Sequence, residues 1–194
     1  MHPLHSTIPS TIIHTDRLLL KELTPGVMNL VFTTLPDEHT KIFLGLTDAE
    51  LQIEQGKFQK GLTMHNRSFR NFLLINKVDG NIIGKCGFHT WYQDHSRAEI
   101  GYSMMNEDVK GKGYMKEAFR PILDYGFETM KLNRIEAFIG RNNMASQRLV
   151  KGCGFVEEGV MREHYCKNGV IEDSVCFSLL KRAYVIKDPV SEMR

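Results

Sequence analysis

The sequence predicts a mixed α/β fold in one domain, a twisted, mostly antiparallel sheet of about seven strands flanked by helices. Three observations carry that expectation. Short β-rich runs recur along the chain, amphipathic stretches at helical spacing alternate with them, and across 194 residues neither a repeat nor a long linker interrupts the order. That length suits a single core, so we expect a lead-in over residues 1–13, a domain over 14–185 and a tail over 186–194.

The elements follow in order. RLLLKEL (17–23) reads as a short strand, after which Pro25, pre-set for a first helical turn, opens a helix towards Leu35. Residues 36–66 carry helical patterns, weakened by Gly56 and Gly61. In FRNFLLINKVDGNIIGKCGFHTW two β-rich runs flank Asp79-Gly80, which predicts a type I′ hairpin turn. RAEIGYSMM (97–105) is the next strand. Met115, Ala118, Phe119, Ile122, Leu123, Phe127 and Met130 then share one helical stripe, in which Pro121 should bend or loosen the helix. RIEAFI (134–139) is a strand and MASQRLVKGCGF a helix closed by Gly152 or Gly154. The chain ends in a hairpin, with strands near 155–166 and 170–181 around Asn168-Gly169.

Composition narrows the functions. Lys and Arg number 25 against 23 Asp and Glu, and the resulting charge of +2 gives no reason to expect nucleic acid or a membrane surface. No stretch approaches the roughly 18 apolar residues of a membrane span, and the first residues lack the pattern of a secretory signal. Cys86, Cys153, Cys166 and Cys176 show no C-x-x-C spacing and read as reduced thiols of a cytoplasmic protein. The histidines show no ligand spacing, so no metal is expected.

The segment EDVKGKGYMKEAF (107–119) places two glycines ahead of an amphipathic helix. A helix start leaves several N–H groups without intrahelical partners, and the dipole adds positive character. If Gly111 and Gly113 fold the chain tightly there, those donors converge where a diphosphate can sit, with Lys110 and Lys112 supplying charge. A tight turn with solvated lysines is the alternative. The segment lacks the four-residue spacing to a Gly-Lys-Ser/Thr end that a P-loop needs and, with Lys at position 116, the third glycine of a dinucleotide fingerprint.

AEIGYSMMNEDVKGKGYMKEAF, followed by NNMASQRLVKGCGF, resembles the GCN5-related N-acetyltransferase (GNAT) family, and more narrowly its ribosomal-protein N-terminal (RimJ/RimL-type) branch. HTDRLLLKEL resembles the first strand of that branch and DGNIIGKCGF its central hairpin, so the similarity runs from about residue 14 to 181. The resemblance implies a sheet splayed at the cofactor site, acetyl-CoA as cosubstrate and a primary amine as acceptor, most naturally a protein N-terminus. A small-molecule amine (antibiotic, amino acid or polyamine) or a non-catalytic acyl-CoA-binding module are the alternatives. It further implies that the backbone of residues 110–115, Tyr114 and Met115 included, holds the diphosphate. Ser103 and Met105 would pair with the pantetheine arm, and Asn143 and Ser146 would face the cofactor, although both also suit a helix cap. The family's loop has Gln or Arg, two variable positions, Gly, one variable position and a small residue. Here those places hold Lys110, Gly113 and Met115, the last a departure.

Acetyl transfer needs a neutral amine, a stabilised oxyanion and a protonated leaving thiolate. On the strand AEIGYSMM, Glu99 shares a face with Gly101, Ser103 and Met105 and is the candidate base, with a raised pKa; pairing with Arg97 or Arg134 is the alternative. The oxyanion donor is expected at the N–H of Met104 or Met105. Val150 stands where many family members carry a tyrosine acid, which leaves Ser146 as the candidate proton donor. His89, Trp91, Tyr92, His164 and Tyr165 are expected around the acceptor, with residues 36–66 as the opposite wall. Edge strands of the last hairpin suit a homodimer.

Overall fold

The computed structural model describes residues 7–63, 67–167 and 169–184. Eight strands form one sheet in the order β1-β2-β3-β4-β5-β6-β8-β7. They are β1 (Ile12–His14), β2 (Leu18–Leu23), β3 (Arg67–Asn76), β4 (Ile82–Tyr92), β5 (Arg97–Met104), β6 (Arg134–Gly140), β7 (Val156–Lys167) and β8 (Val170–Leu180). Five α-helices flank it among the described residues: α1 (Pro25–Thr34), α2 (Asp37–Leu44), α3 (Asp48–Gln59), α4 (Tyr114–Asp124) and α5 (Met144–Gly152).

Alternation along the strands builds two cores. On one face Leu18, Leu20, Phe72, Leu74, Phe88 and Ile100 pack against Phe119, Ile122 and Leu123 of α4. On the other, Leu23, Leu73 and Ile75 meet Val27, Val31, Phe43 and Leu44 of α1 and α2. The helical pattern of residues 36–63 therefore forms a layer on one face of the sheet; residues 64–66 of that stretch lie outside the described residues. Helix starts follow local rules: Thr24 accepts from Val27 N ahead of Pro25, and Thr47 with Glu50 forms a capping box.

Two expectations need correction. Residues 12 and 13, assigned to the lead-in, form the edge strand β1 together with His14, because Ile12, Ile13 and His14 pair with Lys21, Leu20 and Leu19. The Asp79-Gly80 turn is not type I′, which requires both central residues at positive φ; only Gly80 (φ 74°) is left-handed, closing a five-residue loop over residues 77–81. Of the two glycines expected to close α5, Gly154 (φ 90°) does so, with Gly154 N donating to Lys151 O and Phe155 N to Val150 O in a Schellman pattern. The last hairpin turns between Lys167 and Val170 as expected, although Asn168 lies outside the described residues, as do residues 185–194. Pro121 is inside α4, and the helix passes into a π turn at Tyr125–Thr129.

The feature that positions the site is the one parallel pair. Strands β5 and β6 pair only over Arg97–Glu99 and Arg134–Glu136, and the remainder of each is unpaired with the other. Helix α5 starts at the far end of β6, with Asn143 as its N-cap. The sheet is thus splayed in its middle.

Candidate active site

Ahead of α4 the backbone reaches αL twice, at Gly111 (φ 71°) and Gly113 (φ 80°). The first intrahelical bond is Glu117 N to Gly113 O, so the amides of Tyr114, Met115 and Lys116 precede the helical ladder. Space around Gly111 is open, with nothing within 4 Å of a built Cβ. Tyr114, Met115 and Lys116 line a cleft of about 700 Å³ bounded by the phosphate-type loop, the end of β5 and the start of α5. It is lined by Ser103, Met104, Lys110, Gly111, Gly113, Tyr114, Met115, Asn143 and Ser146, so nine expected cofactor residues come together. Met105 instead lines the neighbouring cleft beside α2. Lys110 is ion-paired with Glu107, and Lys112 offers its carbonyl to Arg17.

Arg17 was not singled out by the motif reading, yet it ties this loop down. Its Nη1 donates to Lys112 O (3.0 Å), its Nε to Glu117 Oε2 (2.6 Å) and its backbone N to Glu117 Oε1 (2.7 Å). Thr15 Oγ1 donates to the same carboxylate, and the guanidinium lies 4.3 Å from the Tyr114 ring centroid. The clasp joins the start of β2 to the loop before any ligand arrives. Arg17→Ala is expected to weaken coenzyme A binding about 10-fold, the ~1.4 kcal/mol of re-ordering that the ligand must then supply. Titration calorimetry checks it; an unchanged Kd would leave the clasp without a part in binding.

Ladder parity corrects two assignments. Met105 N donates to Ile83 O (3.0 Å), so its N–H is committed to β4. In the antiparallel β4–β5 ladder such residues alternate, and a Cβ on Gly84 would stand 2.7 Å from Ser103 O, which places that carbonyl on the β4 side as well. The backbone groups of β5 that face the splay therefore belong to Tyr102 and Met104, not to Ser103 and Met105. Of the two N–H groups considered for the oxyanion, that of Met104 is the one on the side of the splay.

Asn143 Oδ1 accepts from Ser146 N (3.1 Å), so the capping role is real and coexists with a place in the cleft. Val150 is fully buried in the core. Tyr102, another residue the motif reading passed over, lines the cleft with its hydroxyl donating to Ser146 O (3.4 Å). Burial pushes that phenol up to about 12, so it stays protonated at neutral pH.

A second cleft, of about 730 Å³, meets the first at Asn143. Glu99 lines it together with Phe138, Tyr165, Glu172 and Asp173. The His164 ring packs 5.0 Å from Phe138. Neither arginine holds Glu99: Arg97 Nη1 (2.8 Å) and Arg134 Nε (2.7 Å) both bond Glu136, its parallel neighbour. Burial, and then the Glu136 carboxylate, push Glu99 up to about 7. Its nearest titratable contact is His89, with Nδ1 3.6 Å from Oε2. His89 borders a smaller cleft of about 350 Å³ with Leu44, Glu54 and Lys57, the wall expected from residues 36–66.

Among the described residues no group of three or more His, Cys, Asp or Glu is placed to hold a metal ion, and no helix is long and apolar enough to cross a membrane.

Residues 17–156 match the Acetyltransferase (GNAT) domain family. An uncharacterised N-acetyltransferase of Bacillus licheniformis is 30% identical over 175 residues, covering 89% of this chain and 97% of that protein. A Bacillus subtilis protein provisionally described as a ribosomal N-acetyltransferase is 37% identical over 106 residues, 55% of this chain and 57% of its own. Among solved structures, a spermidine N-acetyltransferase variant from Vibrio cholerae superposes with a TM-score of 0.64 at 21% identity, over 86% of this chain and 96% of that one.

Proposed function

We propose, since the chain belongs to the GNAT acetyltransferase family and is an acetyl-CoA-dependent N-acetyltransferase, that the amine it acetylates is the α-amine at a protein N-terminus, as in the RimJ/RimL-type branch. One observation carries the reading: two clefts meet at Asn143 where β5 and β6 part, one walled by free amides and the other floored by Glu99. An acyl thioester laid along the first would present its carbonyl to an amine held in the second.

The acidity of Glu99 selects the acceptor. An ammonium near pKa 8 yields its proton to a carboxylate of about 7 at a cost of about 1 kcal/mol, whereas an ε-ammonium near 10.4 costs about 4–5 kcal/mol. Glu99 takes the proton, the amine attacks the thioester carbonyl, and the tetrahedral oxyanion is stabilised by Met104 N–H. The leaving thiolate is met by Tyr102 or Ser146, both in the coenzyme cleft. The diphosphate lies on the amides of residues 110–115 beside Lys110 and Lys112.

A polyamine acceptor is the second reading. Glu172 and Asp173 line the Glu99 cleft and suit a polycation, and a spermidine N-acetyltransferase shares the fold. An acceptor screen at pH 7, read as thiol release, separates the two. Ser-, Ala- and Met-initiated peptides are expected to exceed both N-blocked lysine peptides and spermidine by roughly 100-fold in kcat/KM, following the difference in deprotonation cost. Spermidine turning over faster than every peptide would transfer the assignment to a polyamine. Tight coenzyme binding with no acceptor turned over would leave a binding module.

A further inference from the structure

We propose that His89 is the relay partner of Glu99, carrying the amine's proton from the carboxyl group to solvent. The inference rests on the reading of Glu99 as the base. His89 and Glu99 are directly opposed in the β4–β5 ladder, so their side chains leave the same face a few ångströms apart. His89 Nδ1 stands 3.6 Å from Glu99 Oε2, a small rotation short of a hydrogen bond, which is common in ligand-free sites.

Three features hold the ring in that place. A Cβ at position 101 would stand 2.6 Å from His89 Nε2 and 2.8 Å from Cδ2, so the bare backbone of Gly101 is the bed on which the imidazole lies. Thr90, the next residue, has φ 50°, a strained conformation for a β-branched side chain. Its Oγ1 is 3.2 Å from Nδ1, and the strand bulges between His89 and Tyr92. Bulges and left-handed β-branched residues persist where the surroundings impose them, and here they aim one imidazole at one carboxylate.

Exposure sets the direction of flow. The Glu99 side chain is 20% exposed and that of His89 is 44%, so the histidine is the route outward. In the step, the ammonium N–H bond breaks and its proton joins the Glu99 carboxylate. The carboxyl O–H bond then breaks and its proton joins His89 Nδ1, and the imidazolium so formed gives one proton to water and returns to the neutral ring, a net transfer of one proton from amine to solvent. Other charges face the pair: Glu136 with Arg97 and Arg134 from the β5–β6 side, Lys85 on β4, Glu54 and Lys57 on α3, and the Cys176 thiol on β8. Burial keeps His89 below its ordinary range, so it begins neutral and able to accept.

The test compares His89→Ala, His89→Asn and Glu99→Gln in the full chain. His89→Ala is expected to lower kcat roughly 10–100-fold, with coenzyme A affinity by calorimetry within about twofold of the parent. Added imidazole should restore turnover to His89→Ala, because the vacated bed over Gly101 accepts it, and should do nothing for Glu99→Gln. His89→Asn fills the space without relaying a proton and should stay slow. A second readout is independent of activity: the imidazole titration of His89, followed by NMR, should shift in Glu99→Gln. Parent-like turnover and pH profile in His89→Ala, with Glu99→Gln inactive, would overturn the relay and keep the base. A loss in His89→Ala that imidazole leaves untouched would reduce His89 to packing. Full activity in Glu99→Gln would remove the base itself.

Discussion

Glu99→Gln is expected to slow turnover by roughly 10²–10⁴ while leaving coenzyme A affinity near that of the parent. The substitution keeps the shape of the side chain and removes only its ability to accept a proton. Its place in the second cleft, away from the phosphate-type loop, is why turnover and coenzyme binding should separate. The same carboxyl predicts the pH dependence. A base with a pKa of about 7 is inactive when protonated, so kcat/KM should rise as pH increases through about 7 and level off above it. The acid limb should vanish from the residual activity of Glu99→Gln.

Stability should move the opposite way. The folded pKa of Glu99 lies above its unfolded value, so the folded state holds the extra proton between about 4.5 and 7 and loses relative stability as pH rises through that window. Above it, the buried carboxylate costs ~1–3 kcal/mol, which a neutral glutamine does not. Glu99→Gln should therefore be more stable than the parent at pH 8 and nearly equal to it at pH 4.5. Urea unfolding at the two pH values measures this; equal gaps at both would mean that the burial of Glu99 is compensated by contacts unrelated to its charge.

What could be read from the sequence and what could not divide along sequence separation. The strand period placed Glu99 on a defined face, and the two glycines ahead of an amphipathic helix marked a loop where L side chains fit badly, as their φ angles of 71° and 80° show. Both are local signals. Register is not: whether Met105 N–H faces β4 or the splay depends on which residue of another strand lies opposite, and the answer reversed the parity of the expected pantetheine contacts. The turn at Asp79-Gly80 failed for a related reason, since β3 ends at Asn76 and β4 begins at Ile82, so the loop takes five residues rather than two. Arg17 and Glu117 are 100 residues apart, and nothing in either neighbourhood announces their bond. The Glu99–His89 approach could have been found, because once RAEIGYSMM and IIGKCGFHTW are paired through a short loop, His89 and Glu99 fall near one another. Glu136 drawing away both Arg97 and Arg134 could not, as it requires the parallel β5–β6 contact.

Gly113→Val should weaken coenzyme A binding by roughly 10–100-fold with little change in the acceptor cleft. Gly113 is the N-cap of α4 with φ 80° and ψ 2°, and its Cβ, if present, would stand 3.6 Å from Arg17 Nη2, so the site is roomy enough for a side chain but wrong in backbone conformation. A β-branched residue held in αL carries ~1–3 kcal/mol of strain, relieved by rotating the peptide away from the geometry that points the amides of Tyr114, Met115 and Lys116 into one cleft. The helix below loses little, because its buried stripe of Ala118, Phe119, Ile122 and Leu123 is untouched. Binding should therefore fall much more than thermal stability does, and dephospho-coenzyme A, which retains the diphosphate, should lose as much as coenzyme A itself. Pantetheine, which has no diphosphate, should be affected little by the substitution. A parallel loss for pantetheine would move the grip from the loop to the splayed strands, where Tyr102 and Met104 offer the free backbone.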